Sequence, residues 1–432
     1  MRTRGRWAWT DRDPAWRRRR VGQLRLLCHA AAAAAAAAAV LTFVVAPLTG
    51  HFQGPFEDFT AYWQAAQAVA HGHDPYSNFR AQASVVMSGF DYPPPAILAV
   101  WPLALLSHVW AVRAWLWLAL GSTLAASLIV VRTLLPPTWP RTSLAVIGSL
   151  VYAPAAYNYW HGQANWLIYL ALALALRAYV REQPMLCGLF LALGADIKLE
   201  PAVLALLLLR RGWWRGLAAM AVGGLVPLGV AAWLVPGSLS TWLRQVLPAL
   251  TRDNGWIYNQ SLDGVASRLL GHSVTHFSPP LAVLHFAVLG LDVLLLAVVV
   301  WRVRPGPRPS LDRAAEFGLG VTAMLLVSTI AWIPHYTSLL IPTAVGLRLA
   351  CLPGARHRGA IAGATAVFVL VTWVLLPLAL ANLTMGEVVR IGQGWLWWPF
   401  LQLASLPALA ALGLAIGLAR SGPPDLPTPA TS

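Results

Sequence analysis

Long apolar runs recur along almost the whole chain and are its strongest pattern. The first extends from about Leu26 to Leu48 and includes an unbroken alanine stretch from Ala30 to Ala39. At about 1.5 Å per residue, a helix of that length crosses a hydrocarbon layer roughly 30 Å thick. Further apolar segments lie near residues 93–108, 110–131, 142–157, 164–180, 185–209, 215–235, 280–301, 316–333, 336–350, 361–381 and 396–419. The pattern predicts an all-α polytopic membrane protein with about twelve transmembrane segments.

The composition also indicates a membrane protein, whose surface faces lipid rather than water. Of the 432 residues, 58% are hydrophobic and only 11% are charged, whereas a soluble chain carries about a quarter charged residues. The formal charge of +15 arises from arginines that collect at segment ends, as they do where topology is set. This distribution argues against a nucleic-acid partner. The three cysteines all lie in apolar stretches, which excludes a disulfide framework or a zinc site.

The two termini are predicted to lie in the cytoplasm. Residues 1–25 are rich in arginine, and a basic start before an apolar run also resembles a secretory signal peptide. The run after residue 25 is too long for a signal peptide, so we interpret it as a retained first helix. The transmembrane domain then covers 26–419, and the proline-rich tail 420–432 is predicted to be disordered.

The arginines leave the topology open between residues 93 and 209. From Arg210 onward they alternate as the positive-inside tendency requires. A simple count of spans, however, places Arg132, Arg141, Arg177 and Arg181 outside. In a second arrangement, the segment after Pro93 is re-entrant and 185–209 is broken near Pro201. These four arginines then lie in the cytoplasm. We favour this second arrangement.

Two polar segments, about 49–92 and 236–279, are predicted to form extended extracytoplasmic loops. Both are too polar to span a membrane and too long to be simple turns, and long ordered loops usually carry function. They contain six of the sixteen acids, although a membrane surface has no need of acids: Glu57, Asp58, Asp74, Asp91, Asp253 and Asp263.

Asp58 opens a predicted helix in the first of these loops. Phe59, Tyr62, Ala66 and Val69 recur at helical spacing, and Gly72 ends the pattern. One interpretation makes Asp58 the N-cap whose oxygen accepts from the Ala61 amide. A carboxylate held at a helix start beside the headgroups is equally suited to take a proton from a hydroxyl. Both interpretations stay open at this point.

Other polar residues stand where an apolar helix disfavours them, and an ionisable group at membrane depth costs a few kcal/mol unless it is paired. They are His161, Gln163, Asn165, Lys198, Asn259, Gln260, Arg268 and His335. Each has a structural alternative. Lys198, the only lysine, has Asp196 and Glu200 as candidate ion-pair partners. Gln163 and Asn165 suit interhelical hydrogen bonds, and His335 suits a hydrogen-bonded helix end. The tryptophans mostly lie at segment ends, as interfacial anchors do.

Taken in order, several short motifs resemble glycosyltransferase family 87, whose members are C-type integral-membrane glycosyltransferases. The match covers residues 58 to about 340. Its elements are Asp58-Phe59 with Tyr62, Gly72 with Asp74-Pro75-Tyr76, Tyr92-Pro93-Pro94, Gly162-Gln163 with Asn165, Gly188 with Lys198 and Pro201, Arg210-Arg211, Asn259-Gln260-Ser261-Leu262 with Arg268, and Trp332 with His335. One departure is Ile333-Pro334-His335, where the family often carries a pair of histidines.

This resemblance implies a C-type fold and a polyprenyl-phosphate-mannose-dependent α-mannosyltransferase. Its donor would be polyprenyl-phosphate-mannose, and its acceptor a glycolipid or lipoglycan on the outer face of a bacterial plasma membrane. Asp58 resembles the family's catalytic base, which deprotonates the acceptor hydroxyl in an inverting transfer. Lys198, Arg268 and His335 would stabilise the phosphate that leaves. Gln163, Asn165 and Gln260 would contact sugar hydroxyls or phosphate, and Tyr62, Tyr92, His161 and Asn259 complete the predicted substrate-binding set.

No cofactor is predicted. The adjacent pair Glu57-Asp58 is not a spaced pair of carboxylates, and nothing else in the sequence indicates a cage for a hard metal ion, so the use of a divalent ion stays open.

The main alternative function is a transporter or lipid flippase, which also needs many spans and buried polar groups. We find no internal repeat between the two halves of the chain. A scaffold protein would leave Asp58, Lys198 and His335 without a purpose. A related arabinofuranosyltransferase or glucosyltransferase also fits the motifs.

Overall fold

The computed structural model describes residues 56–81, 87–135, 139–251, 255–269, 282–353, 355–376 and 405–421, with scattered positions between 23 and 41. The predicted N-terminal segment 1–25, first span 26–48 and tail 420–432 lie outside the described residues except for a few positions.

Helices make up most of the described chain, which confirms the all-α class. They are α1 Glu57–Ala70, α2 Ile97–Val100, α3 His108–Leu134, α4 Trp139–Leu150, α5 Ala153–His161, α6 Asn165–Val180, α7 Pro184–Ile197, α8 Ala205–Arg210, α9 Trp214–Leu234, α10 Ser238–Thr241, α11 Leu247–Leu250, α12 Leu262–Leu269, α13 Ala282–Arg302, α14 Ser310–Leu326, α15 Leu340–Ala350, α16 Arg358–Val369 and α17 Leu406–Arg420. Short 3-10 helices cover Pro94–Ala96, Trp101–Leu105, Glu200–Leu204 and Ile333–Leu339, and π-helical turns cover Trp242–Val246 and Leu370–Leu375. Two strands of two residues each, β1 Arg80–Ala81 and β2 Met87–Ser88, pair antiparallel.

Among the described helices, three are long and apolar enough to cross a membrane: His108–Leu134, Trp214–Leu234 and Arg358–Leu375. Four shorter apolar helices accompany them. Several predicted spans are interrupted, because proline removes a backbone donor and ends or bends a helix. The apolar segment after Pro93, for example, folds as short helical pieces over Pro94–Leu105. The chain is a membrane protein, and the number of about twelve spans stays a prediction.

Buried ion pairs join several turns at one end of the helices, which we call the arginine end. Arg211 Nη2 lies 2.5 Å from Glu316 Oε2, and Arg302 Nη2 lies 3.1 Å from Asp312 Oδ1. Arg302 also donates to the carbonyl of Ser421 at 2.9 Å. The turn after α6, the turn after α8, the turn before α14 and the end of α17 therefore meet there.

The segment 184–210 forms a helical hairpin that starts and finishes at the arginine end. Its first arm is α7, and its return arm is the 3-10 helix Glu200–Leu204 followed by α8. Fourteen residues of α helix reach about 20 Å. The tip at Lys198 thus lies deep in the bundle. The predicted break near Pro201 is confirmed, and the turn holding Arg181 shares an end with Arg211.

Close backbone contact holds the hairpin against α9. A Cβ added at Gly188 would lie 1.9 Å from the Gly216 carbonyl oxygen, so only glycine permits this approach. The two helices consequently pack over a long stretch, and the position of the hairpin tip follows from this packing.

The opposite end of the helices, which we call the loop end, gathers both predicted loops. Thr241 Oγ1 donates to Asp74 Oδ2 at 2.8 Å, which links the second loop to the first. Asn259 forms an isolated bridge with Trp332. The sixteen-residue helix α6 separates this end from the arginine end by about 24 Å. The structure therefore places the described residues of 56–107 (56–81 and 87–107) and of 235–269 (235–251 and 255–269) together, away from the arginine end.

Candidate active site

Asp58 lies in the first turn of α1, and its predicted role as N-cap is wrong. The helix begins at Glu57, and Phe56 occupies the cap position in the left-handed region with φ 38° and no side-chain cap bond. The side chain of Asp58 is instead directed toward Gln163. The predicted helix is confirmed, and three of its periodic apolar residues, Phe59, Tyr62 and Ala66, are buried.

A chain of side-chain amides supports the Asp58 carboxylate. Gln163 Nε2 donates to Asp58 Oδ2 at 2.8 Å, and Asn165 Nδ2 donates to Gln163 Oε1 at 2.6 Å. The Asn165 backbone N–H donates in turn to Asn158 Oδ1 at 3.2 Å. An ionised carboxylate only accepts hydrogen bonds, so it requires the Gln163 amide group to face it. Gln163 and Asn165 thus make the predicted hydrogen bonds between elements and also reach Asp58.

Gly162 lets this chain approach α1. It follows α5 with φ 67°, and a Cβ added there would lie 2.6 Å from Phe59 Cβ. Any other residue would push the turn at 162–163 away from Asp58. The buried Trp115 supports the same turn from below, because its Nε1 donates to the Gly162 carbonyl at 2.8 Å.

Two half-buried carboxyl groups, those of Asp58 and Asp91, share this region. Burial raises the pKa of Asp58, and the opposing effects of Gln163 and the Lys198 charge are smaller. Burial likewise raises the pKa of Asp91 to about 6; Lys198 opposes this rise, and the charge of Asp58 adds to it. Burial favours the neutral acid because it removes water from the charged form. Such a carboxyl group is a stronger proton acceptor than an ordinary aspartate when it is ionised.

Lys198, at the tip of the hairpin, contacts His335. Its Nζ lies 2.5 Å from His335 Nε2, and it lies 5.2 Å from the centre of the Tyr92 ring. The other ring nitrogen, His335 Nδ1, lies 3.3 Å from Glu200 Oε1. These partners favour the tautomer with its proton on Nδ1, facing Glu200, and a lone pair on Nε2 facing Lys198. The predicted pairing of Lys198 with a nearby acid is thus mediated by a histidine.

Tyr62 and Tyr92 lie between the carboxylates and the lysine. Their hydroxyls share a hydrogen bond, and their rings meet edge to face at 4.9 Å. Tyr76 donates to the Tyr92 carbonyl at 2.8 Å, which fixes the backbone there. A small, open apolar pocket adjoins both rings, and Trp115 and Ile197 also line it.

Asn259, Gln260 and Arg268 are fully buried, and each makes hydrogen bonds to backbone groups. Asn259 Nδ2 donates to the Thr329 carbonyl at 2.9 Å. Gln260 Nε2 donates to the Ile257 carbonyl at 2.7 Å. The Asn259 bond attaches the second loop to the turn before His335, as does the bond from the Gln260 backbone N–H to the Ala331 carbonyl at 2.8 Å.

Arg268 is directed into the same loop. Its Nη1 donates to the carbonyls of Trp256 and Asn259 at 2.8 and 2.7 Å, and its Nε donates to Ser405 Oγ at 3.0 Å. Burial lowers its pKa to about 10. The structure therefore does not bring Arg268 into the hydrogen-bonded groups around Asp58 and Lys198, and its predicted contact with phosphate is not among the interactions of the described residues.

His161 ends α5 on another side of Asp58. Its ring lies 4.3 Å from the ring of Tyr157. Burial lowers the pKa of His161, and the nearby charge of Glu57 opposes this effect. The ring is consequently neutral at physiological pH.

Two residues of this region were not singled out as site residues from the sequence, namely Asp91 and Glu200. Asp91 directly precedes Tyr92-Pro93, and Glu200 stands two residues after Lys198. Their proximity to predicted site residues was the available signal. Across the described part of the chain, no three His, Cys, Asp or Glu side chains gather to hold a metal ion. The prediction that no cofactor is used stays a prediction.

A family match covers part of this site, from Tyr92 to Arg268, and does not extend to Asp58 or His335. Residues 90–329 match the model of glycosyltransferase family 87. The chain belongs to this family. The family 87 chain is 31% identical to a polyprenol-phosphate-mannose-dependent alpha-(1-2)-phosphatidylinositol pentamannoside mannosyltransferase of Mycolicibacterium smegmatis, over 77% of this chain and 78% of that protein. It is 27% identical to a polyprenol-phosphate-mannose-dependent alpha-(1-2)-phosphatidylinositol mannoside mannosyltransferase of Mycobacterium tuberculosis, over 87% and 88% of the two chains.

Among solved structures, this family 87 enzyme is similar to ArnT from Cupriavidus metallidurans bound to undecaprenyl phosphate. The two share 14% sequence identity with a TM-score of 0.39, over 91% of this chain and 76% of ArnT. A similarity of that size carries no weight for the site. Membership of the family confirms the resemblance seen in the sequence and identifies the chain as a membrane glycosyltransferase rather than a transporter.

Proposed function

We propose that this enzyme transfers mannose from polyprenyl-phosphate-mannose to a glycolipid or lipoglycan on the extracytoplasmic side of a bacterial plasma membrane. The names of its relatives support the donor and the type of acceptor. The observation that carries the proposal is the arrangement of a half-buried carboxylate, Asp58, and a lysine, Lys198, around one tyrosine pair at the loop end. Asp58 lies one turn of α1 before Tyr62, Tyr62 shares a hydroxyl hydrogen bond with Tyr92, and the Lys198 ammonium group lies 5.2 Å from the Tyr92 ring. A base and a cation are the two charges that such a transfer needs.

In the proposed reaction, Asp58 accepts the proton of an acceptor hydroxyl. The hydroxyl oxygen forms a bond to the anomeric carbon of mannose from the face opposite the phosphate. The bond between that carbon and the phosphate oxygen breaks, and the oxygen leaves with the electron pair as polyprenyl phosphate. The sugar is inverted, and water later removes the proton from Asp58. The raised pKa of Asp58 makes the carboxylate a better base for this step.

Lys198 is the group that we assign to the leaving phosphate. His335 accepts one of its N–H bonds, which leaves two donors for phosphate oxygens. Glu200 holds His335 in the required tautomer and is thus a positioning residue. Arg268 is assigned to the shape of the second loop, since its donors reach backbone carbonyls. The polar amides of Gln163 and Asn165 hold the base in place.

The apolar pocket beside Tyr62 and Tyr92 is suited to the first isoprene units of the donor. Its lining is hydrocarbon and aromatic, and it opens next to the Lys198 ammonium group. A lipid phosphate lying there would have its chain among apolar side chains and its charge beside a cation. This arrangement explains why a lipid-linked sugar fits better than a nucleotide sugar.

The test is transfer by the purified full chain in lipid nanodiscs. Polyprenyl-phosphate-mannose labelled in the sugar is supplied with phosphatidylinositol mannosides, and the corresponding glucose and arabinofuranose donors serve as comparisons. We expect labelled glycolipid and polyprenyl phosphate in equal amounts, with the anomeric configuration of mannose inverted between donor and product. Faster use of another sugar donor would overturn the sugar assignment, and retention of configuration would overturn the mechanism.

Sidedness is tested separately by accessibility in intact cells. Ser77 and Thr251 are exposed positions in the two loops, and Gly306 is an exposed position at the arginine end. In a variant without the native cysteines, single cysteines at Ser77 and Thr251 should react with a membrane-impermeant thiol reagent, while one at Gly306 should not. The reverse pattern would place the site in the cytoplasm.

A further inference from the structure

Four aromatic rings form a continuous row at the loop end, which we call the aromatic row. It consists of Trp256, Tyr258, Tyr157 and His161. Successive ring centres lie 5.8, 5.7 and 4.3 Å apart. The row joins two segments that are about a hundred residues apart in the chain, so only the fold brings them together. All four side chains are half-buried and keep part of their surface open.

The buried polar residues of the second loop explain why two of these rings face outward. Trp256 and Tyr258 alternate with Ile257 and Asn259, which are buried. Arg268 binds the carbonyls of Trp256 and Asn259 and thereby fixes the backbone on both sides of Tyr258. Burying the charge of an arginine costs desolvation free energy, which its hydrogen bonds to two carbonyls offset only in part. Here Arg268 holds two aromatic side chains at the surface of the site.

The aromatic row adjoins the base but not the lysine. Tyr157 shares a hydroxyl hydrogen bond with Tyr258 and experiences the charges of Asp58 and Glu57. His161 experiences the charge of Glu57. Lys198 instead contacts His335 and the Tyr92 ring. The site therefore has a cationic side for the phosphate and an aromatic, acidic side.

The chemistry of that second side fits a neutral sugar. A pyranose ring presents a face of C–H bonds, which packs on aromatic rings, and an edge of hydroxyls, which suits phenol and imidazole groups. Each separation along the row is comparable to the width of one pyranose ring, so the row is long enough for more than one. Glu57 and Asp58 repel anionic lipid phosphates. An isolated interfacial aromatic anchor would lie among headgroups rather than beside two acids.

We propose that the aromatic row binds the sugar chain of the acceptor, with at least two consecutive hexose rings on it and the terminal hydroxyl directed toward Asp58. This inference rests on the proposed function and specifies its acceptor. It accounts for the burial of Arg268 and Asn259, because both maintain the segment that presents Trp256 and Tyr258.

The experiment compares short synthetic acceptors of increasing length. Octyl α-mannoside and octyl α-mannotrioside are supplied to the parent and to Tyr157→Leu, Tyr258→Leu and Tyr258→Phe, with Trp160→Leu as the control on the same helix outside the row. We expect the acceptor KM for the trioside to rise roughly three- to tenfold in each leucine variant, the size of an aromatic contact. The KM for donor should not change. Tyr258→Phe keeps the ring but loses the hydroxyl, so its acceptor KM should rise less than that of Tyr258→Leu. Trp160→Leu should resemble the parent.

Three results would overturn the proposal. One is an unchanged acceptor KM in both leucine variants, and another is an equal effect on the monosaccharide and the trioside. A third is a rise in donor KM that matches the acceptor effect, which would indicate a general structural defect. Direct binding of octyl α-mannotrioside, measured by calorimetry without donor, separates this inference from the proposed function. If the parent used no polyprenyl-phosphate-mannose but still bound the trioside through Tyr258, the proposed donor would fail and the aromatic row would stand.

Discussion

The two ends of this molecule both bury charged side chains, but they treat them differently. At the arginine end, Glu316 contacts Arg211 at 2.5 Å and Arg302 at 3.7 Å. Asp312 contacts Arg302 and Arg308 at 3.1 and 3.4 Å. Each of these carboxylates has two arginine partners. These ion pairs have a structural role, because they hold the ends of several helices together. Their charges have little capacity left for a ligand.

At the loop end, the charges have weaker partners. Asp58 receives a hydrogen bond from an amide rather than from an arginine, and Lys198 faces a neutral histidine. The pKa values of Asp58 and Asp91 are raised because their partners do not offset the effect of burial. Perturbed groups of this kind cluster at functional sites. The comparison teaches that the pairing of a buried charge, rather than its burial, distinguishes a structural residue from a reactive one.

The largest expected effect comes from neutralising the base. Asp58→Asn retains the size of the side chain but accepts no proton, so the transfer rate should fall about 10²- to 10⁴-fold. The melting temperature in nanodiscs should stay close to that of the parent, because the amide partner Gln163 can turn to suit asparagine. Glu182→Gln, an exposed acid at the arginine end, serves as the matched control with full activity. Retention of more than about a tenth of the rate would remove Asp58 as the general base.

Removing an ion pair at the arginine end should lower stability and leave activity unchanged. Arg211→Met leaves Glu316 buried with one longer ion pair, to Arg302, and a hydrogen bond from the Tyr179 hydroxyl. The free energy of unfolding should fall by about 3 kcal/mol. Activity at low temperature should be unchanged, since the site is one helix length away. Unfolding is followed by denaturant titration in mild detergent. The double variant Arg211→Met with Glu316→Gln should recover part of the stability, and a single variant as stable as the parent would show that the pair is dispensable.

Removing the cation should affect donor use more than stability. Lys198→Met keeps the length of the side chain without its charge, and each charge-assisted hydrogen bond to phosphate contributes about 1.5–3 kcal/mol. The kcat/KM for donor should therefore fall roughly ten- to a hundredfold. Arg210→Met, an exposed arginine at the other end, provides the control. An unchanged kcat/KM at limiting donor would mean that the phosphate binds elsewhere.

The smallest expected effect is on the pH profile. Asp58 acts as a base only when ionised, so kcat/KM should decrease as the pH falls through its raised pKa, above the range of an ordinary aspartate. The Lys198 charge lowers the pKa of Asp58, and its removal should therefore shift this acid limb toward higher pH. Rates of Lys198→Met and the parent across the acid range provide the measurement. A limb at the same pH in both proteins would show that the two groups are not coupled.

The apolar pattern predicted the helical class and even the break in the segment before Arg210, because Pro201 interrupts an otherwise continuous run. It did not give a reliable number of spans. A hairpin that returns to its own side and a helix that crosses have the same hydropathy. The difference depends on tertiary packing, here the contact of Gly188 with Gly216.

The candidate site was harder to predict than the fold. Sequence reasoning identified Asp58, Gln163 and Lys198, since polar groups in apolar surroundings are conspicuous. It could not tell which way a buried donor points. The role of Arg268 toward phosphate stays a prediction, and the sequence did not reveal that its Nη1 and Nε reach backbone carbonyls and a serine of the protein itself. Asp58 was equally suited to capping, but the helix begins two residues earlier, with Phe56 at the cap position in the left-handed region.

The amide chain that runs from Asp58 through Gln163 and Asn165 has a direction, because an ionised carboxylate can only accept. When Asp58 takes up a proton, it gains a donor, and a Gln163 amide turned by half a rotation becomes an equally good partner. The reversal would pass to Asn165 and alter what reaches Asn158. The protonation state of the base therefore sets the orientation of the amide side chains that support it. Isotope-edited infrared difference spectroscopy of labelled glutamine and asparagine should detect it as paired shifts of the amide carbonyl bands.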